Sequence, residues 1–199
     1  MSYPVTFEAD YIERHNRLTT FFRLILVIPL VVVLWFYEIV ALFAVIFAWF
    51  AIVITGRFPD PLYGFLAGFI RFLTRVTGYS SLLVDPYPPF GGAPDQSYPI
   101  RMDFDGPLPS YSRLKTGFRF ILAIPVAVLR WAIGILLEVA AIGAWFVIVI
   151  TGRLPRGLFD VMVLASSYTA RSDAYLLLLT ETYPPFQDEQ TRAAGLAEY

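Results

Sequence analysis

The sequence predicts a mainly α-helical integral membrane protein, built as a tandem duplication of a β-α-α-α-β unit. Three observations carry this. Two apolar blocks, residues 24–55 and 120–151, run well past the length of an ordinary core helix. The two halves of the chain repeat at a fixed spacing. The cations fall almost wholly outside the blocks, at places that largely repeat as well.

Composition agrees. Hydrophobic residues make up 57% of the 199 residues and charged residues 16%, against ~25% charged in soluble domains. A chain of this length cannot bury both blocks in a soluble core. The net charge of −1 provides no field for nucleic acid. Without cysteine there is no disulfide, no thiolate nucleophile and no Cys-ligated metal. Acids and aromatics precede the first block, where a cleavable leader would have a basic start, so that block is expected to stay in the mature chain.

The repeat is free of gaps at an offset of 96 residues. It relates Arg17 to Arg113, Arg23 to Arg119, Pro29 to Pro125, Trp35 to Trp131, Trp49 to Trp145 and Thr55-Gly56-Arg57 to Thr151-Gly152-Arg153. It continues through Arg75 and Arg171, Tyr79 and Tyr175, and the two Tyr-Pro-Pro-Phe segments that begin at Tyr87 and Tyr183. Tyr3-Pro4 meets Tyr98-Pro99 one residue out of step. The expected organisation is a first repeat at 1–90, a Gly/Pro/Asp linker at 91–97, a second repeat at 98–186 and a polar tail at 187–199.

The order Tyr-Pro, Arg-Leu, long apolar block, Thr-Gly-Arg, Tyr-Pro-Pro-Phe resembles the bacterial membrane-protein family called domain of unknown function 4389. The resemblance covers both halves. It implies a membrane protein and brings no established activity. Glu38 sits where some relatives also carry an acid; in the second repeat Gly134 holds that place and Glu138 lies one turn later.

Each unit opens with alternating apolar and polar residues, Val5 to Tyr11 and Ile100 to Asp105, which read as half-buried strands. The segment 18–56 would be roughly 58 Å long as one helix, whereas one crossing needs ~20 residues. A hairpin of two membrane helices, about 18–56 and again about 114–152, with a turn near 36–39, is therefore expected. One long tilted helix or a re-entrant hairpin is the alternative. With single crossings the cations divide evenly between the two sides. With hairpins all but Arg130 share one side, as the positive-inside rule asks. Pro29 and Pro125 read as packing kinks. Helices at about 61–77 and 157–171 follow, apolar on one side, and read as interfacial. Short closing strands are expected at 79–84 and 175–179, and the strands of both units should form one small cytoplasmic antiparallel sheet. A pseudo-twofold would then run along the membrane normal.

The residue types assemble no catalytic set, no metal site and no cofactor loop. His15 is unrepeated and reads as an interfacial surface residue. Glu38, Arg130 and Glu138 are the only charges within the blocks, and they are expected at the hairpin turns, where Arg130 and Glu138 would pair. Arg17, Arg23, Arg57, Arg71, Arg75, Arg113, Arg119, Arg153 and Arg171 form a largely repeated arginine collar, expected to bind anionic lipid or a protein partner. The expectation is a non-catalytic membrane scaffold or accessory protein of the bacterial inner membrane, multi-pass, with cytoplasmic termini. Its partners would be membrane lipids and a membrane-protein complex or second copy, not nucleic acid. A small transporter or channel with its cavity at the repeat interface is the alternative.

Overall fold

The computed structural model describes residues 3–186. The elements repeat as the sequence does. Strand β1 (Val5–Ala9) leads into a helical turn α1 (Arg17–Phe21), a long helix α2 (Arg23–Thr55) and a helix α3 (Asp60–Ser80). The second unit gives β2 (Ile100–Phe104), α4 (Arg113–Gly117), α5 (Arg119–Thr151) and α6 (Arg156–Leu176).

Each apolar block is one helix of 33 residues, not a hairpin. Residues 36–39 contain no turn former, so the i to i−4 ladder runs through them. The helix also continues through Pro29 and Pro125, each of which leaves one rung of the ladder without its N–H donor. The chain reverses where the turn chemistry lies. Gly56 takes φ 74°, a left-handed conformation that costs an L-residue with a Cβ about 1–2 kcal/mol, and its amide closes the helix on the Ile52 carbonyl at 2.7 Å. Pro59 and Asp60 then start α3. The helical hairpin of each unit is thus α2 with α3, and α5 with α6.

The helices expected to lie at an interface are longer and more buried than predicted. Twelve residues of α3, among them Leu66, Ile70 and Phe72, are buried. The closing strands are absent. At 79–84 the chain finishes α3 and turns through Leu82 at φ 66°, with the Leu83 amide bonded to the Gly78 carbonyl at 2.9 Å. The same ending recurs at Leu178 and Leu179. Burial of Leu82 and Leu83 compensates the strained backbone, so apolar character there marks a helix stop and not a strand.

Of the expected sheet, only the two opening strands form and pair. β1 and β2 pair antiparallel, with Val5 opposite Phe104, Phe7 opposite Met102 and Ala9 opposite Ile100. Phe7 and Met102 are equivalent in the two repeats, so a pseudo-twofold axis passes between them. Opposed residues of an antiparallel pair point to one face, which makes this axis perpendicular to the sheet. Val5, Ile100 and Met102 are buried on one face, while Glu8 and Asp103 are exposed on the other.

α3 lies between that sheet and α2. Phe65, Phe69 and Phe72 pack on Tyr37 of α2, with ring centroids 5.1 to 6.1 Å away. On the opposite side, Arg71 Nε donates to the Met102 carbonyl at 2.9 Å and Thr74 meets Met102 Sδ. α6 likewise packs on α5 and β1, and α3 touches α6. The layers are therefore sheet, then α3 with α6, then α2 with α5.

A twofold leaves height along itself unchanged, so the C-terminal ends of α2 and α5 lie level. The His15 amide donates to the Gly152 carbonyl at 3.1 Å, and the Tyr111 amide to the Gly56 carbonyl at 2.9 Å. The N-terminal approach to each long helix is thus level with the C-terminal end of the other. α2 and α5, each about 50 Å long, lie across the axis, parallel to the sheet and antiparallel to each other.

Candidate lipid-facing surface and polar interior

Among the described residues, α2 and α5 are the two helices long and apolar enough to cross a membrane, and this suggests membrane association. Only 17% and 28% of their most apolar windows are buried, whereas the core helix of a soluble protein is mostly buried. The buried stripe on α2 is narrow: Leu30, Ala41, Ala44, Ala48 and Ile52. Ile25, Val32, Phe36, Ile39, Phe43 and Phe50 point the other way and are exposed.

The nine arginines do not form one collar. Arg17, Arg57, Arg113 and Arg153 are exposed, at the ends of the long helices. Arg23, Arg75, Arg119 and Arg171 are buried, and Arg71 is half-buried. Arg23 stacks on Tyr79 with its guanidinium carbon 4.0 Å from the ring centroid and pairs with Asp85 at 2.9 Å. Arg119 stacks on Tyr175 at 3.8 Å and donates to the Thr180 carbonyl. Arg75 donates to the Ala93 carbonyl at 2.9 Å. These side chains tie the chain that follows α3 and α6 back onto the helices, and are read as structural. Their signal was in the sequence: both repeats keep the arginine and the tyrosine of the stacked pair.

The charges within the blocks are also placed differently. Glu38 lies mid-helix on α2 and is exposed. Arg130 does not pair with Glu138; it forms a two-pronged ion pair with Asp173 of α6 at 2.5 and 3.0 Å. Burial pushes the Asp173 carboxyl above the ordinary carboxylate range, and the Arg130 guanidinium opposes that push. Arg130, Glu138, Asp173, Thr74 and Ser166 line a cavity of about 180 Å3 between α3, α5 and α6. Sequence reasoning missed Asp173. The available signal was that Arg130 and Asp173 are both peculiar to the second unit, where the first has Leu34 and Thr77.

On the sheet's outer face Arg101 bonds both Asp10 oxygens at 2.7 Å and Glu8 at 3.2 Å. These bonds hold the Asp10 carboxyl below its usual range. Burial pushes the Tyr3 and Tyr98 hydroxyls up. Among the described residues no group of three His, Asp or Glu side chains is placed to hold a metal.

His15 is buried, not on the surface, and faces Asp85 and Arg23. Burial lowers its pKa, so the unfolded chain takes up a proton that the folded chain resists. Stability is therefore expected to be full above the ordinary imidazole range and to fall as pH drops through it, by at most about 1.4 kcal/mol per pH unit. His15→Gln should flatten that slope in detergent melts between pH 5 and 8; an unchanged slope assigns it to another group.

Residues 17–91 and 113–187 match the family described as domain of unknown function (DUF4389). The chain belongs to this family, in two tandem copies. Both strands lie outside the matched segments, so each DUF4389 copy corresponds to the helical part of a unit and the chain following it. No curated protein and no solved structure matches the chain.

Proposed function

We propose that this DUF4389 protein is a non-catalytic scaffold that lies within one leaflet of a membrane and contacts anionic headgroups through Arg17, Arg57, Arg113 and Arg153. The observation that carries the reading is the orientation of α2 and α5, level and perpendicular to an axis whose sheet end is charged. Were these helices to cross the bilayer, the axis would lie in the membrane plane. Glu8, Arg101 and Asp103 would then face the bilayer centre, where a charge costs at least about 2.5–3.5 kcal/mol. A helix of about 50 Å would also need a tilt of roughly 50° to fit ~30 Å of hydrocarbon, beyond the usual 0–40°. With the axis along the membrane normal, both conflicts vanish. A helix about 10–12 Å across fits inside the ~15 Å of one leaflet. The exposed arginines sit at one depth, and the sheet stands in water. This arrangement also keeps the cations on one side, as the hairpins were meant to do.

The transporter alternative draws on the cavity with Arg130, Glu138 and Asp173. In the one-leaflet arrangement that cavity has no second side to open to, so the scaffold is preferred.

Fluorescence quenching by lipids brominated at different depths tests the reading, on variants that each keep one tryptophan. Trp35, Trp49, Trp131 and Trp145 should all report depths within a few Å of one another. A crossing helix at that tilt of roughly 50° would put Trp35 about 4 Å and Trp49 about 10 Å from the bilayer centre, in opposite leaflets, and that result would refute the scaffold.

A further inference from the structure

We propose that a groove between the C-terminal half of α2 and the start of α5 seats an acyl chain of an anionic phospholipid, with the phosphate on Arg57, Arg113 and Lys115. This rests on the one-leaflet reading and names a ligand for it. The groove has a volume of about 530 Å3, inside the ~300–1,000 Å3 of small-molecule sites. Leu42, Ile46 and Phe50 form one wall, Phe120 and Ala123 the other, and Leu178 lies on the floor. It follows α2 for about 12 Å, enough for a good part of a lipid chain.

One end is marked by cations. Trp49, in the α2 wall, donates its Nε1–H to the Thr116 carbonyl of α4 at 2.9 Å. This fixes α4, with its exposed Arg113 and Lys115, at the end of the groove. Arg113 Nε lies against Gly56, beside Arg57. Among the described residues none of the three cations has a carboxylate within ion-pair distance. The nearby Glu181 carboxylate is taken by the Ser112 amide at 2.7 Å.

The duplication supplies an internal comparison. The equivalent groove between α5 and the start of α2 measures about 340 Å3 and carries Glu138 where the first carries Leu42. At its end, Thr19 replaces Lys115, and Arg153 is paired with Glu13 at 3.5 Å. Apart from the stacked arginine in each, Arg119 and Arg23, the first groove is apolar along its walls and ends in three cations, whereas its twin has a carboxylate in the wall and ends in two, Arg17 and an Arg153 shared with Glu13. An apolar chain with an anionic head fits the first and is disfavoured by the second.

The test uses the full chain in vesicles that mix phosphatidylglycerol and phosphatidylcholine, with either the one or the other brominated. One variant keeps only Trp49, one only Trp145 and one only Trp35, with phenylalanine elsewhere. Trp49 should be quenched more by the phosphatidylglycerol, and Trp145 should show a clearly smaller preference. Arg113→Gln should lower the Trp49 preference roughly fivefold, the share of one surface cation. Ala123→Phe, which fills the groove on its lipid-facing side, should abolish it. Equal quenching of Trp49 by both lipids, or a preference that survives Ala123→Phe, overturns the proposal. So does loss of Trp49 quenching as protein density rises, which would put a second copy in the groove. Trp35, on the open apolar surface, should be quenched by either lipid whatever Trp49 does. Failure there would strike the membrane reading and not the groove alone.

Discussion

Replacing Arg130 by leucine should destabilise the protein by about 3 kcal/mol, the range for leaving one partner of a buried ion pair unpaired. Asp173 is the reason. Its side chain is only 12% exposed and its described ion-pair partner is Arg130. Without that guanidinium the carboxyl must stay buried and unpaired or take up a proton. The first repeat shows how the same place is filled without charge, by Leu34 and Thr77. The double variant Arg130→Leu with Asp173→Thr should therefore recover to within about 1 kcal/mol of the parent, because replacing a whole buried pair is often close to neutral. Thermal melts in detergent would compare the two. A single variant that melts with the parent, or a double no better than the single, would show that the pair is not buried as described.

The second large effect is expected at Gly92, in the linker. Its backbone rests directly on the α3 backbone at Gly68, and a Cβ there would run into the Gly68 carbonyl. Backbone cannot swing aside as a side-chain tip can. Gly92→Ala should therefore lift the linker off α3 and cost about 3 kcal/mol, at the upper end of overpacking effects. Gly64, on the same helix, is exposed and has nothing within 4 Å of such a Cβ. Gly64→Ala should stabilise by about 0.5–1 kcal/mol through helix propensity alone. Equal melts for the two variants would mean that the linker does not dock on α3.

The duplication, both opening strands, their pairing and the stops at Gly56 and Gly152 were legible because each rests on local signals: an offset, a period of two, a glycine before proline. The long blocks were misread for a different reason. Dividing their length by one membrane thickness predicts a hairpin, yet each block is one continuous helix. Residues 36–39 held no turn former, and that local signal should have outweighed the global one. The place of α3 was hidden because half its surface is apolar for two reasons at once: Phe65 and Phe69 face α2, while Thr74 and Gly78 admit β2 on the other side. Among the arginines, the sequence cannot separate a guanidinium stacked on tyrosine from one awaiting a phosphate. The paired retention of Arg23 with Tyr79, and of Arg119 with Tyr175, was the clue available. The expected polar tail and the sidedness of the termini fall outside the described residues.

The measurement that bears most directly on the account is the sidedness of the two ends of one long helix. The chain has no cysteine, so Arg17→Cys, Arg57→Cys and Thr6→Cys each give a single thiol, for an impermeant maleimide applied to one side of sealed vesicles and then to the other. Arg17 and Arg57 stand at opposite ends of α1 and α2, and Thr6 stands on the sheet. The account predicts that all three label from the same side. Labelling of positions 17 and 57 from opposite sides would make α2 a membrane-crossing helix and would contradict it.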